Sequence, residues 1–246
     1  MSHQCIDRSN GILHWKDIID ILWGIAEGLE RIHADGKVHK NLHGGNLLVD
    51  EKNTTEARIS DVGLYGPCDI QHENNQVYGV LPYIAPEVLR GENYSAASDI
   101  CSFGIIMNTF ATGKRPWHNR AHDISLAKDI CDGERLEIPD DTPKFYVELM
   151  QQCWDNDPAK RPTAAHLIDK LGEWITLICD DPTPSDISKE HSTVEEERWN
   201  KIRMTKVYTH PEIHSEACYT SRAYAFSELL NNDFGKISLF NVLKSV

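Results

Sequence analysis

The sequence predicts a mainly α-helical domain with a few short strands, and three patterns carry that prediction. Ile18, Ile19, Leu22, Ile25, Ala26, Leu29 and Ile32 recur at three- and four-residue steps. That period places them on one face of a helix, so residues 15–33 are expected to be amphipathic and half-buried. The run from Asp99 to Thr112 is apolar nearly all round, through Ile100, Cys101, Phe103, Ile105, Ile106, Met107 and Phe110, and a helix without a polar face has to be enclosed by others. Between the two, Ala57-Arg58-Ile59-Ser60 alternates in the two-residue period of a strand, which predicts small strands around residues 47–60.

Each element has local signals for its ends. The first helix runs into Gly36, a residue suited to a helix stop. The second has Ser95 or Ser98 as its candidate cap and Gly113 as its C-terminal stop. Further helices are expected at about 122–132, 143–154 and 163–177, the last capped by Thr163. A compositional break follows Ile178. Residues 179–199 carry Asp180, Asp181, Asp186, Glu190, Glu195, Glu196 and Glu197 with two prolines and few apolar anchors, which reads as an acidic linker. Residues 200–246 contain Phe226, Leu229, Leu230, Phe234, Leu239, Phe240 and Val242 without a recognised motif, and are expected to be a tail, partly ordered or disordered. Residues 1–178 then form the main domain.

Composition narrows the function classes. The chain has 246 residues, 40% of them hydrophobic, enough for one sizeable core, and its longest apolar runs are far below the roughly 18 residues of a membrane span. No membrane partner is expected. The net charge of −13 disfavours nucleic acid as a partner, because phosphate contacts require clustered lysine and arginine. Seven cysteines, odd in number and without a C-x-x-C pair, point to reduced thiols and a cytoplasmic or nuclear setting. Gly113-Lys114 does not make a P-loop, since Asn108 and Arg115 occupy its flanking motif positions.

The chemistry-bearing residues lie in a fixed order. Val38-His39-Lys40-Asn41-Leu42-His43-Gly44-Gly45-Asn46 is followed by Asp61-Val62-Gly63, then by Gly79 to Ile84 and Ala85-Pro86-Glu87. Ser98-Asp99 through Gly104 opens the apolar helix, and Cys153-Trp154 with Asp157-Pro158-Ala159-Lys160-Arg161-Pro162-Thr163 closes the series. These segments resemble H-R-D-L-x-x-x-N, D-F-G, A-P-E and C-W-x-x-D-P-x-x-R-P-T of the protein kinases, in particular the tyrosine-kinase-like group. The resemblance covers residues 12–177 and implies the helical kinase C-lobe.

The same resemblance implies roles for individual residues. Asn41 stands where the family's aspartate accepts the substrate hydroxyl proton, and an amide is not a usable base near neutral pH. Asn46 and Asp61 keep the residue types that hold magnesium, here as a vestigial cofactor and metal site. His39, Glu87, Asp99 and Arg161 are expected to be structural: His39 in the core, Asp99 accepting backbone hydrogen bonds from the catalytic loop, Glu87 and Arg161 as a buried ion pair. Lys40, in place of an arginine, lacks the bidentate fork that pairs with a phosphorylated segment. Tyr65, Tyr78 and Tyr83 are formal phosphorylation candidates.

Residues 1–24 show no Gly-rich loop and no strand lysine, so the N-lobe is expected to be absent. Without these elements no cofactor is expected, Mg-ATP being implied only where an N-lobe exists. The expected protein is a pseudokinase that binds other proteins of a signalling pathway. A truncated chain of an ATP-dependent kinase is the alternative reading.

Overall fold

The structure is a computed structural model that describes residues 13–49, 57–61, 66–67, 77–179, 184–204 and 211–224. Val62, Gly63, Tyr65, Gly11 and Cys68 lie outside the described residues. Helix α1 spans Trp15–Ala34 and buries Trp15, Ile18, Ile19, Ile21, Leu22, Ile25, Ala26 and Leu29, the face that the sequence period selects. Trp15 and Ile21 are buried in addition, while Ile32 is only half-buried; Trp15 meets Tyr146 edge-on at 5.0 Å between ring centroids.

The short elements that follow carry the loops. Strand β1 (Lys37–Val38) is succeeded by a 3₁₀ turn at Gly44–Asn46, then β2 (Leu47–Val49), β3 (Ala57–Ile59), β4 (Gly66–Pro67) and β5 (Val77–Gly79). A 3₁₀ turn at Leu81–Tyr83 leads into α2 (Pro86–Leu89). Antiparallel pairing joins β1 to β4 and β2 to β3, with Leu47 opposite Ile59 and Leu48 opposite Arg58.

Helix α3 (Ala96–Thr112) is the centre of the molecule, buried continuously from Ser98 to Ala111. Both candidate caps are used. The Ser95 hydroxyl accepts from the Ser98 amide at 3.3 Å while the Ser98 hydroxyl accepts from the Ser95 amide at 3.0 Å, a reciprocal capping box with serine in the usual glutamate position. Gly113 closes the helix in the left-handed region at φ 66°, where a side chain would be strained. Gly104 sets the approach of the next layer. A Cβ there would lie 2.9 Å from the Cys153 Cβ and 3.2 Å from the Trp154 amide, so α3 and α5 pack at a distance that only glycine permits.

The remaining helices are α4 (Ile124–Asp132), α5 (Lys144–Cys153), a 3₁₀ turn at Pro158–Lys160 and α6 (Ala164–Cys179). Helix α6 packs along α1, and its buried positions Ala164, Leu167, Leu171 and Trp174 recur at helical spacing. Cys101, Cys131 and Cys153 are buried free thiols, and burial pushes Cys101 and Cys131 up to about 11. Among the described residues no helix is long and apolar enough to cross a membrane.

The acidic segment departs from its expected linker character. From Asp186 to Met204 it forms a 19-residue helix, α7, and its charges are used as caps. Helix α1 begins after His14 and α5 after Pro143, neither with a side-chain cap of its own. The Glu195 carboxylate accepts from the Trp15 amide at 3.0 Å, and that of Glu190 from the Lys144 amide at 2.7 Å. Anions are stabilised at helix N-termini, where amide donors are unpaired and the dipole is positive. Arg198 adds a buried contact, donating to the Ala111 carbonyl at 2.9 Å with its guanidinium 4.7 Å above the Trp15 ring. The tail also contributes structure. Residues 211–224 include β6 (Arg222–Tyr224), which pairs antiparallel with β5.

Candidate functional site

The catalytic-loop residues are held from below by α3. The Asp99 carboxylate accepts the amides of His39 at 2.8 Å and Lys40 at 3.0 Å, and also pairs with His33 Nε2 at 3.0 Å. Lys40 occupies the left-handed region at φ 67°, a conformation that costs a non-glycine residue of order 1 kcal/mol or more and persists only where its surroundings impose it. Asp99 supplies that constraint. Asp99 is 2% exposed, so the two amides it satisfies would otherwise be buried donors without partners.

His39 joins the loop to the end of β3. Its Nδ1 accepts from the Asn41 amide at 3.3 Å and its Nε2 donates to the Ser60 carbonyl at 3.2 Å. Ser60 in turn donates its amide to the Asn46 carbonyl at 2.8 Å. These bonds turn the chain so that Asp61, itself at φ 62°, faces the loop.

Three side chains meet there. Asn46 Nδ2 donates to the Asn41 carbonyl at 3.0 Å and to Asp61 Oδ2 at 3.2 Å, and Asn41 Nδ2 approaches the same Asp61 oxygen at 3.4 Å. The structure thus brings Asn41, Asn46 and Asp61 together, with His39 and Asp99 beneath them. A hard cation such as magnesium is held by oxygens. Here the facing oxygen of Asp61 is met by two amide N–H groups, a donor set that does not fit a magnesium ion as it stands. An aspartate at position 41 would set a second carboxylate against Asp61; the amide makes the contact attractive.

His43 and Ser221 complete the site, and neither was singled out in the sequence. The His43 ring is buried, and its Nδ1 accepts from the Gly45 amide at 3.1 Å. Burial first and His39 second hold its pKa down at about 4 against the opposing pull of Asp61, so the ring is neutral with its proton on Nε2. That atom lies 3.3 Å from Ser221 Oγ, and the Ser221 hydroxyl donates to Asn41 Oδ1 at 3.0 Å. The hydrogen bonds run in one direction, from His43 through Ser221 to Asn41. No motif surrounds Ser221, and no spacing could have linked it to a loop so far away in the sequence.

Glu87 and Arg161 form a separate pair. The guanidinium donates from Nη1 and Nη2 to the two Glu87 oxygens, each at 2.7 Å, and also bonds the carbonyls of Asp155 and Ala97. Burial works against the charged guanidinium, but the Glu87 bonds and nearby charges outweigh it and raise the Arg161 pKa. The pair ties α2 to the turn before α6 and to the start of α3. Tyr83 is buried and its hydroxyl is pushed up to about 12 by burial, whereas Tyr78 is half-buried in β5 with its carbonyl accepting from the Tyr94 hydroxyl at 2.6 Å.

A helical body with a pinned loop of this kind has the architecture of the protein-kinase C-lobe. The family model described as protein tyrosine and serine/threonine kinase matches residues 3–171, more than half of the chain, and the chain belongs to that family. Among its relatives, a probable serine/threonine-protein kinase of Dictyostelium discoideum is 34% identical over 165 residues, covering 67% of this chain and 10% of the relative. A serine/threonine-protein kinase of Arabidopsis thaliana is 26% identical over 184 residues, covering 74% of this chain and 31% of the relative. The tyrosine-protein kinase transforming protein Fps of avian sarcoma virus is 34% identical over 166 residues, covering 63% and 30%. The chain spans less than a third of the length of these curated relatives.

Proposed function

We propose that this chain is a catalytically impaired kinase-fold module that acts by binding other proteins of a signalling pathway. The observation that carries the reading is Asn41. Its Oδ1 accepts the Ser221 hydroxyl hydrogen bond, as a proton acceptor would, but a carboxamide oxygen cannot take the proton on. Loss of a general base lowers a rate by about 10²–10⁴. The facing amides around Asp61 support the same reading, because charge stabilisation of transferring phosphate depends on metal ions held there.

A second reading, a segment of an ATP-dependent protein kinase, is favoured by the short span of the chain relative to its relatives. Asn41 lies inside that segment and would lower the rate in the longer protein too. Radiolabelled phosphoryl transfer to a generic peptide, with Asp61→Asn as the blank, tests the proposal together with thermal unfolding in Mg-ATP. The expected result is no transfer above the blank and no saturable rise in Tm. A ligand at a hundred times its Kd would add about 2.7 kcal/mol, a readily measured shift. Transfer that disappears in Asp61→Asn overturns the reading.

A further inference from the structure

The C-terminal segment follows one continuous track across the face that carries Asn41. His214 donates its amide to the His118 carbonyl at 2.8 Å, and the His122 amide donates to the Glu216 carbonyl at 3.2 Å. The Cys218 amide donates to His122 Nδ1 at 3.1 Å, while His122 Nε2 donates to the Trp117 carbonyl at 3.2 Å. Tyr219 packs edge-on against the His122 ring at 4.8 Å between centroids, lies 5.1 Å below the Arg115 guanidinium and donates its hydroxyl to the Pro116 carbonyl at 2.9 Å. Two residues on, Ser221 reaches Asn41 and His43. Arg222 donates to the His122 carbonyl at 2.9 Å, and the chain ends its track as β6, with Tyr78 opposite Ala223 and Val77 opposite Tyr224.

Three properties of this track belong to ligand recognition rather than to core packing. The segment turns at Ser215–Glu216 and then ends extended in β6, adding a strand to a short edge, the mode by which peptides bind through main-chain hydrogen bonds. Most of it is exposed, including Glu212, Ile213, His214, Ser215, Glu216, Thr220, Arg222 and Ala223, and its anchors are two tyrosines, Tyr224 at 4% exposure and the half-buried Tyr219. Its one hydroxyl at the centre falls on the atom of residue 41 that, in an active kinase, would accept the substrate hydroxyl proton.

We propose that β5, Asn41, His43 and the 115–122 turn form a binding site for an extended polypeptide, and that residues 212–224 are its tethered occupant. The ligand class is a segment with a small hydroxyl residue on Asn41, a tyrosine two positions before it and another three positions after it. While the chain's own segment is docked, other polypeptides are excluded. A tethered ligand acts at an effective concentration of about millimolar, so an outside partner gains access only when the segment is loosened. The inference deepens the interaction-module reading by naming where a partner binds, and its test contains no nucleotide. A chain found to transfer phosphate would still show a docked segment, and a failure of docking would leave the loss of the base untouched.

The test uses the full chain and a fluorescent synthetic peptide of residues 212–224, read by anisotropy, with amide hydrogen exchange alongside. In the wild-type chain the β5 amides are expected to be protected and the peptide to bind weakly. In the full-length Tyr219→Ala/Tyr224→Ala chain, β5 protection should fall while α3 protection stays, and the peptide should bind about tenfold more tightly than to wild type. A peptide carrying Ser221→Ala should bind that chain about two- to tenfold less tightly, the worth of one hydrogen bond. If the double variant also loses α3 protection, full-length Tyr219→Ala alone replaces it, since Tyr219 is the half-buried anchor of the two; the same results are expected. Unprotected β5 amides in wild type, or equal peptide affinity for the wild-type and loosened chains, overturns the proposal.

Discussion

The hydroxyl of Ser221 donates a hydrogen bond to Oδ1 of Asn41 at 3.0 Å across 180 positions of sequence. On its other side the Asn41 amide nitrogen faces Asp61 Oδ2 at 3.4 Å. One side chain therefore serves as acceptor for the C-terminal segment and as donor to the candidate metal carboxylate, two roles that an ionised aspartate, an acceptor only, could not combine.

Asn41→Asp should therefore destabilise the chain. The substitution replaces a donor to Asp61 with a second carboxylate, a loss of about 1 kcal/mol at a partly solvated site, which exceeds the gain from a charged acceptor for Ser221. Millimolar Mg²⁺ should raise the Tm of the variant and leave that of wild type unchanged. Thermal melts of both chains at neutral pH, with and without Mg²⁺, check this, and equal stability of the two chains without the ion would refute it.

Glu87→Ala and Arg161→Ala should each cost about 3–5 kcal/mol, because either strands the partner's charge in a site where the side chains are 5% and 0% exposed. The double variant should cost less than the sum of the two, since no charge is then left unpaired. Urea unfolding of the four chains gives the coupling. Additive losses would show that the pair does not act as a unit.

His43 should make the fold sensitive to mild acid. Its pKa lies below the ordinary 6.5, at about 4, so above pH 6.5 both folded and unfolded states are neutral at this ring and it contributes no pH dependence. As pH falls from about 6.5 towards 4 only the unfolded chain takes up the proton, and stability is lost at up to about 1.4 kcal/mol per pH unit. His43→Asn keeps an acceptor for the Gly45 amide and should flatten this part of the profile. Parallel stability curves for the two chains between pH 4 and 7 would count against the assignment.

Glu195→Ala should cost about 1–2 kcal/mol by leaving the first amide of α1 without its acceptor. Burial raises the Glu195 pKa, but the bonds from the Trp15 amide, Trp199 and His14 outweigh it and hold the pKa below the ordinary carboxylate value. Its contribution is therefore present near neutrality and lost as pH falls below about 4.5. Chemical denaturation at pH 7 and pH 4 measures both parts; an equal cost at the two pH values would contradict the capping role.

The helical body and the order of its motifs were legible in the sequence because both are local. A 3.6-residue period selects the buried face of α1, an apolar run without a polar side makes α3 central, and Ser95 with Gly113 marks its ends. The side-chain types at Asn41, Asn46 and Asp61 are equally readable, since a short loop and the strand after it fix their order. The functions of Glu195, Arg198 and Ser221 were not. In composition the segment holding Glu195 and Arg198 is a run of charges, and only the missing caps of α1 and α5, brought beside it by packing, turn those charges into a docked helix. Ser221 is one hydroxyl among many until β5 offers its edge and His122 seats Tyr219. Local pattern determined the elements because each residue's nearest partners are its sequence neighbours. Only the tertiary structure decided what lies on Asn41, because that contact depends on where separately folded segments end up in space.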